Sequence, residues 1–164
     1  MTATRVFIHG LESTSQGTKG LYFRERYPEM IIEDYTGALE VRMEKLEAVL
    51  AGKDKLILVG SSFGGLMAAI YACRHPAKVR RLILLAPAIN LEEFEPYAGQ
   101  ALALPVHLYH GRRDDVVPPG EVRAVAERTF RNLTYCFVED DHSLHDTFQA
   151  IPWEELLKKT GNSH

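Results

Sequence analysis

Cysteine is scarce in this chain of 164 residues: Cys73 and Cys136 are its only two. Two thiols cannot build a disulfide framework, and no C-x-x-C spacing points to a redox pair or a zinc site. Both lie in apolar segments and read as buried free thiols, which points to a cytoplasmic protein. No apolar run approaches the roughly 18 residues that a membrane-spanning helix needs. Lys and Arg total 19 against 22 Asp and Glu, a net charge of −3. That balance leaves no basic footprint for a nucleic acid. The start, Met1-Thr2-Ala3-Thr4-Arg5, runs straight into a short apolar strand and reads as lacking a signal peptide. Repeats, low-complexity tracts and clear linkers are also missing.

What is present is ordinary for a globular chain, 46% hydrophobic and 25% charged. The length predicts a single domain over 1–164, large enough to bury about two-thirds of its unfolded surface. Short apolar runs alternate with helical patterns. Strands are expected at Arg5–His9, Met30–Asp34, Lys55–Val59, Arg81–Ala86, Val106–His110 and Leu133–Val138. Helices are expected at Thr18–Tyr27, Ala38–Ala51, Phe63–Arg74, Pro119–Thr129 and Asp146–Lys159. Runs such as Leu82-Ile83-Leu84-Leu85 are continuous rather than alternating, as in strands covered on both faces. The pattern predicts a three-layer α/β/α sandwich around a doubly wound, mostly parallel sheet of six strands. Residues Thr160–His164 are expected to fray.

Gly60-Ser61-Ser62-Phe63-Gly64 sits between the apolar run Leu56–Val59 and a helical pattern rich in small residues. A serine at a sharp strand-to-helix turn is a nucleophile elbow, a strained turn that admits only small residues two positions to either side. Gly60 and Gly64 meet that condition around Ser62. Around Ser61 the flanking residues would be Val59 and Phe63, which are too bulky. Ser62 is therefore the candidate nucleophile, the other reading of the two glycines being a plain tight turn.

Ligands of such sheets bind beyond the carboxyl ends of the strands. Those ends carry His9-Gly10-Leu11, then Ser62, then His110-Gly111-Arg112-Arg113-Asp114-Asp115-Val116-Val117-Pro118, then Asp140-Asp141-His142-Ser143-Leu144-His145. In this order (H-G, G-x-S-x-G, H-G-x-x-D-x-x-V-P, D-H-S) nearly the whole chain resembles a small member of the α/β-hydrolase superfamily, of the minimal serine-esterase type found in bacteria. The resemblance implies that the chain starts at the third strand of the family's usual eight. It implies strand order 2-1-3-4-5-6, and only a short segment around 88–104 where larger relatives insert a lid.

The resemblance also implies roles. Ser62 would attack the substrate carbonyl, His142 would act as general base and then acid, and Asp114 would orient the imidazole and stabilise its charged form. The H-G-x-x-D-x-x-V-P frame selects Asp114 over Asp115, and D-H-S selects His142 over His145. The developing oxyanion would be held by the backbone N–H groups of Phe63 and Leu11. His9 and His110 read as braces of their strand-end turns. Phe63, Phe94, Tyr97 and Leu144 are candidates for an apolar acyl pocket or simply for core, and Tyr35 and Thr36 for its border or a surface loop.

No cofactor is expected. Gly60–Gly65 fits G-x-x-x-x-G but lacks the Lys-Ser/Thr of a phosphate loop, G-x-G-x-x-G is missing, and His142/His145 lack the glutamate of H-E-x-x-H. No metal is expected either. The implied activity is hydrolysis of small carboxylic esters, with thioesters as the alternative and a small-molecule ester or thioester as partner. A non-catalytic binding module on the same fold remains the reading from another class. Oligomeric state is left open.

Overall fold

The computed structural model describes residues 3–159. The expected fraying of Thr160–His164, and the first two residues, Met1 and Thr2, lie outside the described residues. The strands are β1 (Thr4–Ile8), β2 (Ile31–Ile32), β3 (Leu56–Ser61), β4 (Val79–Leu85), β5 (Leu102–Gly111) and β6 (Phe130–Val138). The helices are α1 (Thr18–Arg26), α2 (Leu39–Val49), α3 (Phe63–Arg74), α4 (Pro119–Thr129) and α5 (Trp153–Leu156). The six strands form one sheet in the order β2-β1-β3-β4-β5-β6. Every pairing is parallel, so the sheet is wholly rather than mostly parallel.

Alternate side chains of each central strand enter two separate cores. Val6, Leu58 and Leu84 face α2, α3 and α4, where Leu46, Leu66 and Val122 are fully buried. Phe7, Val59 and Ile83 face α1 and the C-terminal segment. There Phe23 meets Phe148 and Trp153 edge-on, with ring centroids 5.5 and 4.9 Å away. This double burial explains why the strands read as unbroken apolar runs.

Two elements are shorter than their patterns predict. The expected helix over Asp146–Lys159 is a 3-10 turn at Phe148–Ala150 followed by the single turn of α5. Pro152 separates them: it lacks an N–H and disfavours helical backbone at Ile151, which is extended at ψ 137°. β2 keeps only two of its five expected residues. It is an edge strand, and two residues beyond it Asp34 turns away: its Oδ1 accepts the Ser15 amide at 2.7 Å.

Of the two thiols, Cys73 is buried, and burial pushes it up to about 11. Cys136 is only partly buried because it sits on the edge strand β6, contrary to the expectation that both are buried.

Candidate active site

β3 runs directly into α3, and Ser62 occupies the corner at φ 56°, ψ −115°. A non-glycine residue in that region is strained and persists only when its surroundings hold it. Four main-chain hydrogen bonds do so. The Ser62 amide donates to the Leu85 carbonyl at 2.9 Å, and the Ser62 carbonyl accepts from Gly65, Leu66 and Ala88 at 2.9, 3.2 and 3.0 Å. The corner is also crowded. A Cβ on Gly60 would strike the Gly64 carbonyl, and one on Gly64 would strike the carbonyls of Ile8 and His9.

Asp114 follows β5, and His142 follows β6. The structure brings them to Ser62: His142 Nε2 lies 3.0 Å from Ser62 Oγ, and His142 Nδ1 lies 2.7 Å from Asp114 Oδ2. Asp115 and His145, the residues passed over, are both exposed.

The Asp114 side chain is fully buried and heavily hydrogen-bonded. Its Oδ1 accepts the amides of Val116 and Val117, both at 2.8 Å. Its Oδ2 is shared between His142 Nδ1 and His110 Nε2, the latter at 3.0 Å. Burial alone would raise the Asp114 carboxyl; the donors from Val117, His142 and Val116 outweigh it and hold the group below the usual aspartate value. His110 is also fully buried, and burial pushes its imidazole below the ordinary histidine value against the pull of Val117 and Asp114. Nε2 faces two acceptors, the Val117 carbonyl at 3.0 Å and Asp114 Oδ2, so it carries the ring proton.

The loop bearing His142 hangs on a second buried carboxylate. Asp140 Oδ1 accepts the Asp141 amide at 2.8 Å, and Oδ2 accepts those of Asp146 and Thr147 at 3.0 and 2.7 Å. Burial works to raise this carboxyl too, and its donors, Thr147 foremost, hold it low. The motif D-H-S contains no hint of that brace, since hydrogen bonds to amides six and seven residues on depend on how the loop folds.

After β1, His9 ties the opposite loop. Its Nδ1 donates to the Gly10 carbonyl at 2.7 Å and its Nε2 accepts the Tyr35 amide at 2.9 Å. Leu11 and Phe63 line the same cavity as Ser62 and His142, a cleft of about 750 Å³. Among the described residues no acceptor takes the amide of either.

Phe63 and Leu144 also line this cleft, whereas Phe94 and Tyr97 do not. Phe94 is fully buried beside Tyr97 in the core against α3, because the segment after β4 folds down onto that face of the sheet. Tyr35 is buried next to His9, and Thr36 is exposed. Lys19, at the start of α1, lines the cleft and was not marked by any motif.

Comparison with known proteins agrees with this architecture. Residues 42–104 match the family model described as alpha/beta hydrolase fold. The structure of alpha/beta hydrolase domain-containing protein 10 from mouse superposes with a TM-score of 0.74 at 21% identity, covering 88% of this chain and 84% of that one. Est1E from Butyrivibrio proteoclasticus, with ferulic acid bound, superposes at 0.79 with 16% identity, covering 96% and 87%. The chain thus has the α/β-hydrolase fold. Among curated proteins it is 39% identical over 76 residues to the pig protein named 1-acylglycerol-3-phosphate O-acyltransferase ABHD5. That stretch takes in 43% of this chain and 22% of the pig protein.

Proposed function

We propose that this protein is a serine hydrolase that cleaves small carboxylic esters through an acyl-enzyme. The observation that carries the reading is the unbroken contact from Ser62 Oγ to His142 Nε2 at 3.0 Å and from His142 Nδ1 to Asp114 Oδ2 at 2.7 Å. His142 takes the hydroxyl proton as Ser62 Oγ bonds to the substrate carbonyl carbon. The imidazolium then gives that proton to the leaving alcohol. Water repeats the sequence on the acyl-enzyme and releases the acid. Asp114, buried and ionised, holds the ring in the required tautomer and stabilises its charge. The free amides of Phe63 and Leu11 receive the oxyanion.

The whole chain acts as one unit in this reading, with only the start of the short segment around 88–104 (Ala88, Asn90 and Leu91) bordering the cleft, and the cytoplasm as its compartment. The name of the pig relative, an acyltransferase, fits the same acyl-enzyme, resolved by an alcohol in place of water.

Labelling with a fluorophosphonate and peptide mapping tests the proposal. An adduct on Ser62, together with p-nitrophenyl butyrate hydrolysis that disappears in Ser62→Ala, supports it. Folded protein that neither labels nor turns over any ester or thioester refutes it and favours a binding module.

A further inference from the structure

Lys19 is a cation of the cleft that the mechanism above does not use. It is half-buried in the first turn of α1 and lines the cavity that holds Ser62 and His142. Its Nζ donates to the Ser143 carbonyl at 2.7 Å and lies 5.5 Å from the centre of the Phe148 ring. An ammonium has three donors, so one neutral carbonyl leaves two of them uncommitted. Among the described residues no carboxylate lies within 4.0 Å of it. Burial lowers its pKa, and the more distant charges of Asp141 and Asp140 act against that effect. A partly desolvated cation without a close counter-ion is unfavourable, and an anionic group entering the cleft would relieve it.

Resting on the ester-hydrolase reading, we infer that the substrate carries a carboxylate, which pairs with the Lys19 ammonium while its ester bond lies at Ser62. One cation with two free donors suits a monoanion. The other charged or titratable groups of the cleft are His9, Glu12, His142 and His145, and Asp141 flanks the histidine loop. With Glu12, Asp141 and Asp140 nearby, a dianionic phosphate monoester is the poorer match to a single ammonium. Lys19 acts here on specificity: its contact to Ser143 holds the residue after the candidate base, while its remaining donors read the substrate.

Two pairs of esters test this. Mono-p-nitrophenyl glutarate against p-nitrophenyl valerate puts the charge on the acyl side. p-Carboxyphenyl valerate against phenyl valerate puts it on the alcohol side. In one pair the wild type is expected to show the higher kcat/KM for the carboxylate member, a preference that added salt erodes. Lys19→Met is expected to lower the carboxylate-to-neutral ratio about tenfold or more, as for a lost charged hydrogen bond, and Lys19→Arg to retain most of it. A ratio unchanged in Lys19→Met would overturn the inference and leave Lys19 a tether of the histidine loop. So would wild-type protein that disfavours both carboxylate esters, a result independent of any variant. Failure to hydrolyse any of the four esters would instead overturn the underlying reading.

Discussion

His110 Nε2 and His142 Nδ1 share one oxygen of Asp114, at 3.0 and 2.7 Å. The two imidazoles therefore divide the charge of a single carboxylate. Removing the His110 donor leaves Asp114 Oδ2 free to swing, so the carboxylate orients His142 less firmly. In His110→Phe kcat for a neutral ester is expected to fall about tenfold for the lost orienting bond. An unchanged kcat would mean that His110 only fills space.

The same residue makes stability depend on pH. His110 is held neutral by burial, below the 6.5 of a free imidazole. As pH falls through that value the unfolded chain takes up a proton that the folded one resists, so stability is lost below about 6.5. Asp114 and Asp140 are held below 3.8, and their contribution is present above that value and lost beneath it. Thermal unfolding between pH 7 and pH 5 should show Tm falling in the wild type and falling less in His110→Phe.

Asp114 and Asp115 are neighbours with opposite expected sensitivity. Asp114→Asn should lower kcat roughly 10³- to 10⁴-fold, because the amide no longer enforces the tautomer that His142 needs. Asp115 is exposed, and Asp115→Asn should change stability by no more than about 0.5 kcal/mol and leave ester hydrolysis intact. Kinetics on the two variants, with His142→Ala and His145→Ala beside them, would reverse both assignments if the exposed partners proved to be the sensitive ones.

Asp140→Ala strips the amides of Asp141, Asp146 and Thr147 of their shared acceptor. A cost of about 1–3 kcal/mol is expected in urea unfolding, together with a fall in kcat as the His142 loop loosens. Wild-type stability in this variant would show that water satisfies the three amides equally well.

Gly64→Ala places a methyl group against the carbonyl oxygens of Ile8 and His9, which are backbone atoms of β1 and its exit loop and have no room to retreat. Destabilisation of about 1–3 kcal/mol or more is expected by chemical denaturation. An Ala variant of wild-type stability would mean that the elbow can open without cost.

Much of the architecture was legible because burial on both faces leaves a direct trace in the residue pattern. Leu82–Leu85 could only be an inner strand, and the boundaries of α3 and α4 coincide with their patterns because glycine-rich or proline turns mark their starts. The end of the chain departs from the helix expected over Asp146–Lys159 because Pro152 within it prevents a continuous helix. Phe94 and Tyr97 were ambiguous since an aromatic in a connecting segment has the same appearance whether it lines a cleft or fills a core.

Residue pattern alone carries the alternation of strands and helices, the serine at a corner flanked by glycines, and a short set of polar residues at the strand ends. Those are local properties, fixed by side-chain size, backbone freedom and spacing. It took the folded chain to bring Ser62 and Asp114, which lie 80 and 28 positions before His142, within hydrogen-bond reach of it. The fold alone settles that His110 joins them from beneath, that Asp140 suspends the histidine loop, and that Lys19 of α1 faces the same cleft. Each of these depends on where parallel strands place their ends, and parallel pairing brings together residues whose proximity no local pattern records.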